Sequence, residues 1–286
     1  MKDTGCNYNR TSALIASATL TLAALSTPAN AWVVPTDMSG EGRLGLTAAG
    51  EIMDAGSDEA SLAFQKEVLP DLTAFLNTQL SEYQKVDPST MLLDSSQLEL
   101  KNASDVRVYF VGEGASYHNT LGYTTDGSGS LDSGTASVIF PDASTSVSTF
   151  DLTDFVKRTG NAPLAPGDFV DLGTLDAGTL LDFFLIADGA RGGDDVYSTE
   201  TSVNPDGINH VVAFSYVLPD SPYLIIGFED MYGGGDGDYN DLLFAVDIGV
   251  ANIKALTANS EPGFAFILGG FGAAAWWRRR RAASQS

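Results

Sequence analysis

Beyond Pro88 the chain runs in short apolar segments closed by turn residues, with no helical periodicity in the gaps between them. The run Val106-Arg107-Val108-Tyr109-Phe110-Val111 alternates in part and is rich in β-branched and aromatic residues. Similar runs occupy 137–140, 180–187, 210–217, 223–229 and 242–248, and Asp126-Gly127, Pro166-Gly167, Asp188-Gly189, Pro205-Asp206-Gly207 and Pro219-Asp220 separate them. Such side chains suit a pleated, half-buried surface, and such turns reverse the chain. Many strands without crossover helices argue against a parallel α/β sheet. They predict a mainly β fold, an antiparallel β-sandwich or jelly-roll-like domain over residues 96–250. Within it the Ser/Thr/Gly-rich stretches of 124–149 read as long loops, and 251–259 reads as a polar linker.

Residues 32–95 form an N-terminal helical region. From Asp58 to Gln84, Leu62, Val68, Leu69, Leu72, Phe75, Leu76, Leu80 and Tyr83 recur at spacings of three and four, one face of an amphipathic helix. Ser57 or Asp58 can cap its start, and Pro70 is expected to kink or split it, because proline lacks the N–H and clashes with the preceding turn. A helix packed on the sheet domain accounts for this pattern better than a partner-binding or membrane helix.

The 286 residues carry 37 Asp+Glu against 15 Lys+Arg, a formal charge of −22. A body without a basic face is a poor match for phosphate, so nucleic acid is excluded as a partner. One cysteine supports neither a disulfide framework nor a cysteine-based zinc site. The two ends hold six of the basic residues, Lys2, Arg10 and Arg278 to Arg281, so the body between them is more acidic still. That self-repulsion favours a bound divalent cation as a stabiliser.

Both ends read as targeting segments. Lys2 and Arg10 precede an apolar run from Ala13 to Leu25, and Ala29-Asn30-Ala31 supplies a small-x-small cleavage site. Residues 1–31 are therefore expected to be a signal peptide removed by signal peptidase, a membrane anchor being the alternative for which the run is short. At residues 260–286, Glu261-Pro262 leads into an apolar run from Gly263 to Trp277, and Arg278, Arg279, Arg280 and Arg281 follow at once. A short motif, an apolar span and a basic stop hold the last residues in the cytoplasm. This tail resembles the PEP-CTERM sorting signals that exosortases recognise, with Ser260 standing where the family usually has proline. The resemblance implies an exosortase-like processing enzyme, transient inner-membrane anchoring through the short transmembrane span, and release to the cell surface or outside the cell. A retained anchor is the alternative.

The chemistry concentrates in Glu229-Asp230-Met231-Tyr232-Gly233-Gly234-Gly235-Asp236-Gly237-Asp238-Tyr239-Asn240-Asp241. Asp236, Asp238 and Asn240 fall at alternate positions, where oxygen side chains of a tight loop converge on one hard cation. With Glu229, Asp230 and Asp241 they form an all-oxygen set without His or Cys, which favours Ca2+ over zinc or copper. The flanks are strand-like, so the loop is not an EF-hand. The plain alternative is a solvated acidic hairpin with no metal. The string Glu-Asp-x-x-Gly-Gly-Gly-Asp-x-Asp-Tyr-Asn-Asp-Leu-Leu-Phe resembles the C-terminal signature of the domain of unknown function 4114. The similarity runs upstream through Asn209 to Phe214 and through Glu113-Gly114-Ala115 and Asn119 to Tyr123, over roughly residues 105–248. It implies a calcium-associated β-sandwich on exported bacterial proteins and adhesins, with no established catalytic activity.

A second polar cluster, Asp188, Asp194, Asp195, Asn204, Asp206 and His210, is a set of further cation ligands, the rim of a ligand site beside the first loop, or an ordinary surface loop. His210 reads as a structural histidine. No catalytic residues are assigned. The expected function is that of an exported calcium-binding surface or biofilm-matrix protein. It would act as a binding or structural module in glycan binding or adhesion, with extracellular polysaccharide as a partner. Tyr117, Tyr123, Tyr197, Tyr232 and Tyr239 are the candidates for stacking on sugar. The alternative is a glycoside hydrolase working with two carboxylates.

Overall fold

The computed structural model describes residues 45–80, 85–86, 98–145, 164–215 and 220–258. The signal peptide, the C-terminal tail with Glu261, Pro262 and Arg278 to Arg281, and Tyr83 of the expected helix lie outside the described residues.

Ten strands are described: β1 Thr47–Ala48, β2 Ser104–Gly112, β3 Thr120–Thr124, β4 Ser137–Phe140, β5 Phe169–Leu175, β6 Asp182–Ile186, β7 Val196–Ser198, β8 Val211–Ser215, β9 Tyr223–Phe228 and β10 Leu242–Asp247. One sheet has the order β1-β4-β3-β6-β7 and the other β5-β2-β10-β9-β8. Every pairing is antiparallel except β1 with β4, which is parallel and only two residues long. The expected mainly β sandwich is the fold.

Strand alternation sorts the side chains into layers. Val106, Val108 and Phe110 of β2 face inward with Ile226 and Phe228 of β9, Phe244 of β10, and Phe183 and Leu185 of β6. The alternate residues Tyr109 and Val111, with Ile225, Leu243 and Ala245, form the opposite face of the β2–β10–β9 sheet and pack under a helical layer. That sheet is buried on both faces. Its inner strands β2, β10 and β9 therefore read as nearly continuous apolar runs, which is why the sequence showed them so plainly.

The helical layer is α1 (Glu59–Ala63), a π-helical turn (Phe64–Val68) and α2 (Leu69–Gln79). Asp58 caps α1 in a reciprocal box: its carboxylate accepts the Ser61 N–H at 2.7 Å while Ser61 Oγ accepts the Asp58 N–H at 3.2 Å. The disturbance expected at Pro70 takes the form of the wide turn directly ahead of it, closed by the Leu69 N–H donating to the Phe64 carbonyl. Phe64, Leu72, Leu76 and Leu80 are buried against the sheet, and the Phe64 ring stacks on Tyr109 with centroids 4.0 Å apart. Each such side chain contributes roughly 1.5–3 kcal/mol of burial. Phe64, four residues ahead of Val68, joins the same buried face, although the set read from the sequence did not include it.

Two expectations need correction. Residues 251–258 are not a linker: Val250–Ala258 is a helix, α3. Ile253 and Leu256 pack on the main core. The Asn252 amide accepts the Asn102 N–H at 2.8 Å and donates to the Ile248 carbonyl at 2.8 Å, fastening the helix to the strand ends. Residues 32–95 are not only helical, since β1 at Thr47–Ala48 joins the sandwich by pairing with β4, the strand expected at 137–140.

Candidate metal centre

Leu242 pairs with Phe228, so residues 229–241 close the β9–β10 hairpin. Both strands sit mid-sheet, which gives the acidic loop a rigid base. One ligand atom each from Glu229, Asp236 and Asp238 lies within 4.8 Å of the others. Glu229 is fully buried, and its Oε1 accepts the Tyr239 N–H at 2.7 Å. Its Oε2 is buried without a hydrogen-bond partner among the described residues. A Cβ on Gly235 would stand 2.1 Å from that oxygen, so only glycine lets the backbone close over it. Asp238 is also buried, and its Oδ1 accepts the Asn240 N–H at 3.3 Å.

The remaining expected residues divide. Asp230 and Asp241 face one another: the Asp241 carboxylate accepts the Asp230 N–H at 3.0 Å. The Asn240 side chain donates to the Leu80 carbonyl at 3.2 Å, and the Asn240 carbonyl accepts the Gly114 N–H at 2.9 Å. Asn240 thus ties the loop to the end of α2 and to the β2–β3 loop.

Burial pushes the Glu229 carboxyl above its usual range, and the charges of Asp238 and Asp236 add to this against the Tyr239 hydrogen bond. Asp241 is raised by burial and by Asp230, and Asp230 by burial, opposed by its hydrogen bond from Asn119. Carboxylates held this close in a partly dry site repel one another unless a cation or protons neutralise them. An oxygen-only donor set with an orphaned buried oxygen suits a hard cation such as Ca2+.

A ring of supporting residues fixes the loop. Asn119 donates to Asp230 Oδ2 at 2.8 Å and accepts the Asp188 N–H at 3.0 Å. His210, fully buried, donates from Nδ1 to the Glu229 carbonyl at 3.1 Å, and its Nε2 meets Asp206 Oδ2 at 2.9 Å. That Asp206 oxygen also accepts the Gly233 N–H at 2.8 Å. The Tyr197 ring stacks on His210 with centroids 3.9 Å apart. Asp188, Asp206 and His210 of the second polar cluster therefore brace the first. Sequence spacing missed Asn119 as a support, because it lies 111 residues from its loop partner Asp230.

Ser144, His118 and Asp142 also meet, but not as a catalytic triad. Both Ser144 Oγ and Asp142 Oδ2 lie 3.0 Å from the same ring nitrogen, Nδ1, and Arg191 contacts Nε2. A proton relay needs the hydroxyl and the carboxylate on opposite nitrogens.

Beside the carboxylates lies a cleft of about 310 Å³. Residues 114–117 line it together with Glu229, Asp230, Asp236 and Asp241. Of the five tyrosines considered for stacking, Tyr123, Tyr197 and Tyr239 are buried. Tyr117 and Tyr232 are 40% and 69% exposed, and Tyr117 lines the cleft.

Residues 175–249 match the domain of unknown function DUF4114. The DUF4114 match runs from the last residue of β5 through β10 and contains the whole acidic loop. Gly114, Tyr117 and Asn119, which complete the cleft and its support, precede it. No curated protein and no solved structure matches the chain. Among the described residues no helix is long and apolar enough to cross a membrane.

Proposed function

We propose that the protein is an exported calcium-binding module of the cell surface or extracellular matrix, in which the cation locks the β9–β10 loop onto the sandwich. The observation that carries this reading is the Glu229 Oε2 atom, buried and without a hydrogen-bond partner, in a cluster with Asp236 and Asp238. A buried carboxylate oxygen left unpaired is costly, and a cation at that point offsets the cost. Asp230 and Asp241 add negative potential beside it. Export rests on the two sequence ends, with signal peptidase and an exosortase-like enzyme as processing partners.

Carboxylates in a cleft also suit a glycoside hydrolase. Against it, three carboxylates rather than a pair converge, to within 4.8 Å, around a buried oxygen with no hydrogen-bond partner among the described residues, which is the donor set of a cation rather than one acid and one nucleophile or base.

The test is a melting curve of the purified protein with calcium and with chelator, for the natural sequence and for Asp236→Ala and Asp238→Ala. Calcium raises the midpoint of the natural protein by several degrees, and either variant loses most of that gain while matching the natural protein in chelator. Equal losses in both conditions mean that the two aspartates do not act through a metal.

A further inference from the structure

Calcium takes roughly six to eight oxygen ligands. Three clustered side chains do not saturate it, and two of them, Glu229 and Asp238, already accept backbone N–H groups. Glu229 and Asp236 also line the neighbouring cleft, which brings a ligand in that cleft within reach of a cation they would hold. We propose that the cleft takes a neutral, hydroxyl-rich sugar, whose adjacent hydroxyl oxygens complete the coordination of the cation while its ring rests on Tyr117. This inference depends on the cation reading above and assigns its ligand.

Three features of the site select this chemistry. The first is charge. Glu229, Asp230, Asp236 and Asp241 all line the cleft, and among the described residues no lysine or arginine lines it to pair with an anion. An anionic ligand such as a uronate or a phosphate head group meets repulsion there. A hydroxyl is neutral, offers lone pairs to the cation and donates its proton to a carboxylate. Asp230 and Asp241 stand beside the cluster as acceptors for those protons.

The second is size. A cleft of about 310 Å³ lies at the small end of the range of ligand sites, roughly 300–1,000 Å³, and so suits one or two sugar rings better than a peptide or a lipid.

The third is the exposed aromatic surface. Tyr117 combines an apolar ring with a wet edge, as sugar-stacking residues do, and Met231, which also lines the cleft, is 51% exposed. Its segment is held at both ends by the same framework. The Gly114 N–H donates to the Asn240 carbonyl at 2.9 Å, and the His118 N–H donates to Asp188 Oδ1 at 2.9 Å. Ordering the acidic loop therefore also positions the stacking ring.

The experiment titrates the purified protein with methyl glycosides of gluco, manno, galacto and fuco configuration, which cover trans and cis diols. Calcium and chelator arms are run in parallel, followed by calorimetry, with calcium uptake measured on the same samples. At least one glycoside is expected to bind in calcium, with affinity falling at least about tenfold in chelator or when one hydroxyl of the diol is removed. Tyr117→Ala weakens that binding about fivefold and leaves calcium uptake unchanged, the size expected for one lost aromatic contact. Normal calcium uptake with no heat from any of the four glycosides overturns the sugar assignment and leaves the cation site standing. Tighter binding of galacturonate than of methyl galactoside overturns the charge argument, and sugar binding that survives chelator overturns the bridge. Release of free sugar from a glycoside replaces the binding module with a hydrolase. Absence of calcium uptake removes the reading beneath.

Discussion

At the scale of single residues the loop is governed by a few atoms that have no alternative. Gly235 has φ +50°, and a methyl group there would meet Glu229 Oε2. Gly235→Ala is expected to cost roughly 1–2 kcal/mol in backbone strain alone, read as a lower urea midpoint, and to weaken calcium uptake as Glu229 is displaced. A different buried acid sets a pH dependence away from the loop. Burial raises the Asp182 carboxyl to about 6, with Glu200 and Asp126 adding to the effect and the Thr199 hydroxyl opposing it. The folded state then binds the proton more tightly than the unfolded chain. The contribution of Asp182 to stability is thus full below its ordinary pKa and is lost as pH rises from about 4 to 6. Asp182→Asn keeps an acceptor for Thr199 and removes this loss. The melting temperature of the variant minus that of the natural protein should therefore increase across that interval and level off above it.

At the scale of elements, the amphipathic helix and the acidic hairpin were legible because their signals are local. Three-and-four spacing and alternate oxygen side chains both lie within one stretch of chain. Strands β3 and β5 were not legible. Thr120-Leu121-Gly122-Tyr123-Thr124 carries a glycine at its centre, which a lone strand disfavours. In the sheet the Phe184 ring covers that glycine, at 2.2 Å from where a Cβ would stand, so a partner strand supplies the packing the residue lacks. Asp58 shows two elements sharing one side chain. It caps α1, and Arg107 of β2 pairs with it at 2.8 Å while also holding Asp171 of β5. Asp58→Ala should cost about 1 kcal/mol for the lost cap. A small addition comes from the exposed pair, and the total should register as a lower denaturant midpoint with calcium uptake intact. A larger change in calcium uptake than in the midpoint would mean that the helical layer acts on the loop through more than the Asn240–Leu80 bond and the packing of Tyr239.

At the scale of the whole molecule, the charge of −22 makes cations part of the stability of the fold. In chelator, added sodium chloride should raise the melting temperature by screening repulsion among the carboxylates. Millimolar calcium should raise it further at constant ionic strength, because specific binding to the folded state adds about 2.7 kcal/mol at a hundred times the dissociation constant. Magnesium at the same ionic strength is the control, since its smaller, stricter octahedral shell suits a carboxylate cluster closed by a flexible loop less well. An equal response to both ions would reduce the effect to general screening. The helical layer, the doubly buried sheet and the braced hairpin form one continuous set of contacts, so a stabilised loop should report in the global transition.

The sequence alone determined the class of fold, the amphipathic helix, the place of the acidic hairpin and the oxygen-only chemistry of its side chains, because periodicity, turn residues and donor type are carried by neighbours along the chain. Tertiary structure decided which of those oxygens meet. It drew Glu229, Asp236 and Asp238 together, turned Asn240 to the helix, set Asp230 against Asp241, and buried three of the five tyrosines. It also brought His210, Asp206 and Asn119 under the loop and residues 114–117 to the cleft beside it. The reason is physical: convergence in space depends on strand register and on which face of each sheet is covered, and both are set by long-range packing that no local pattern encodes.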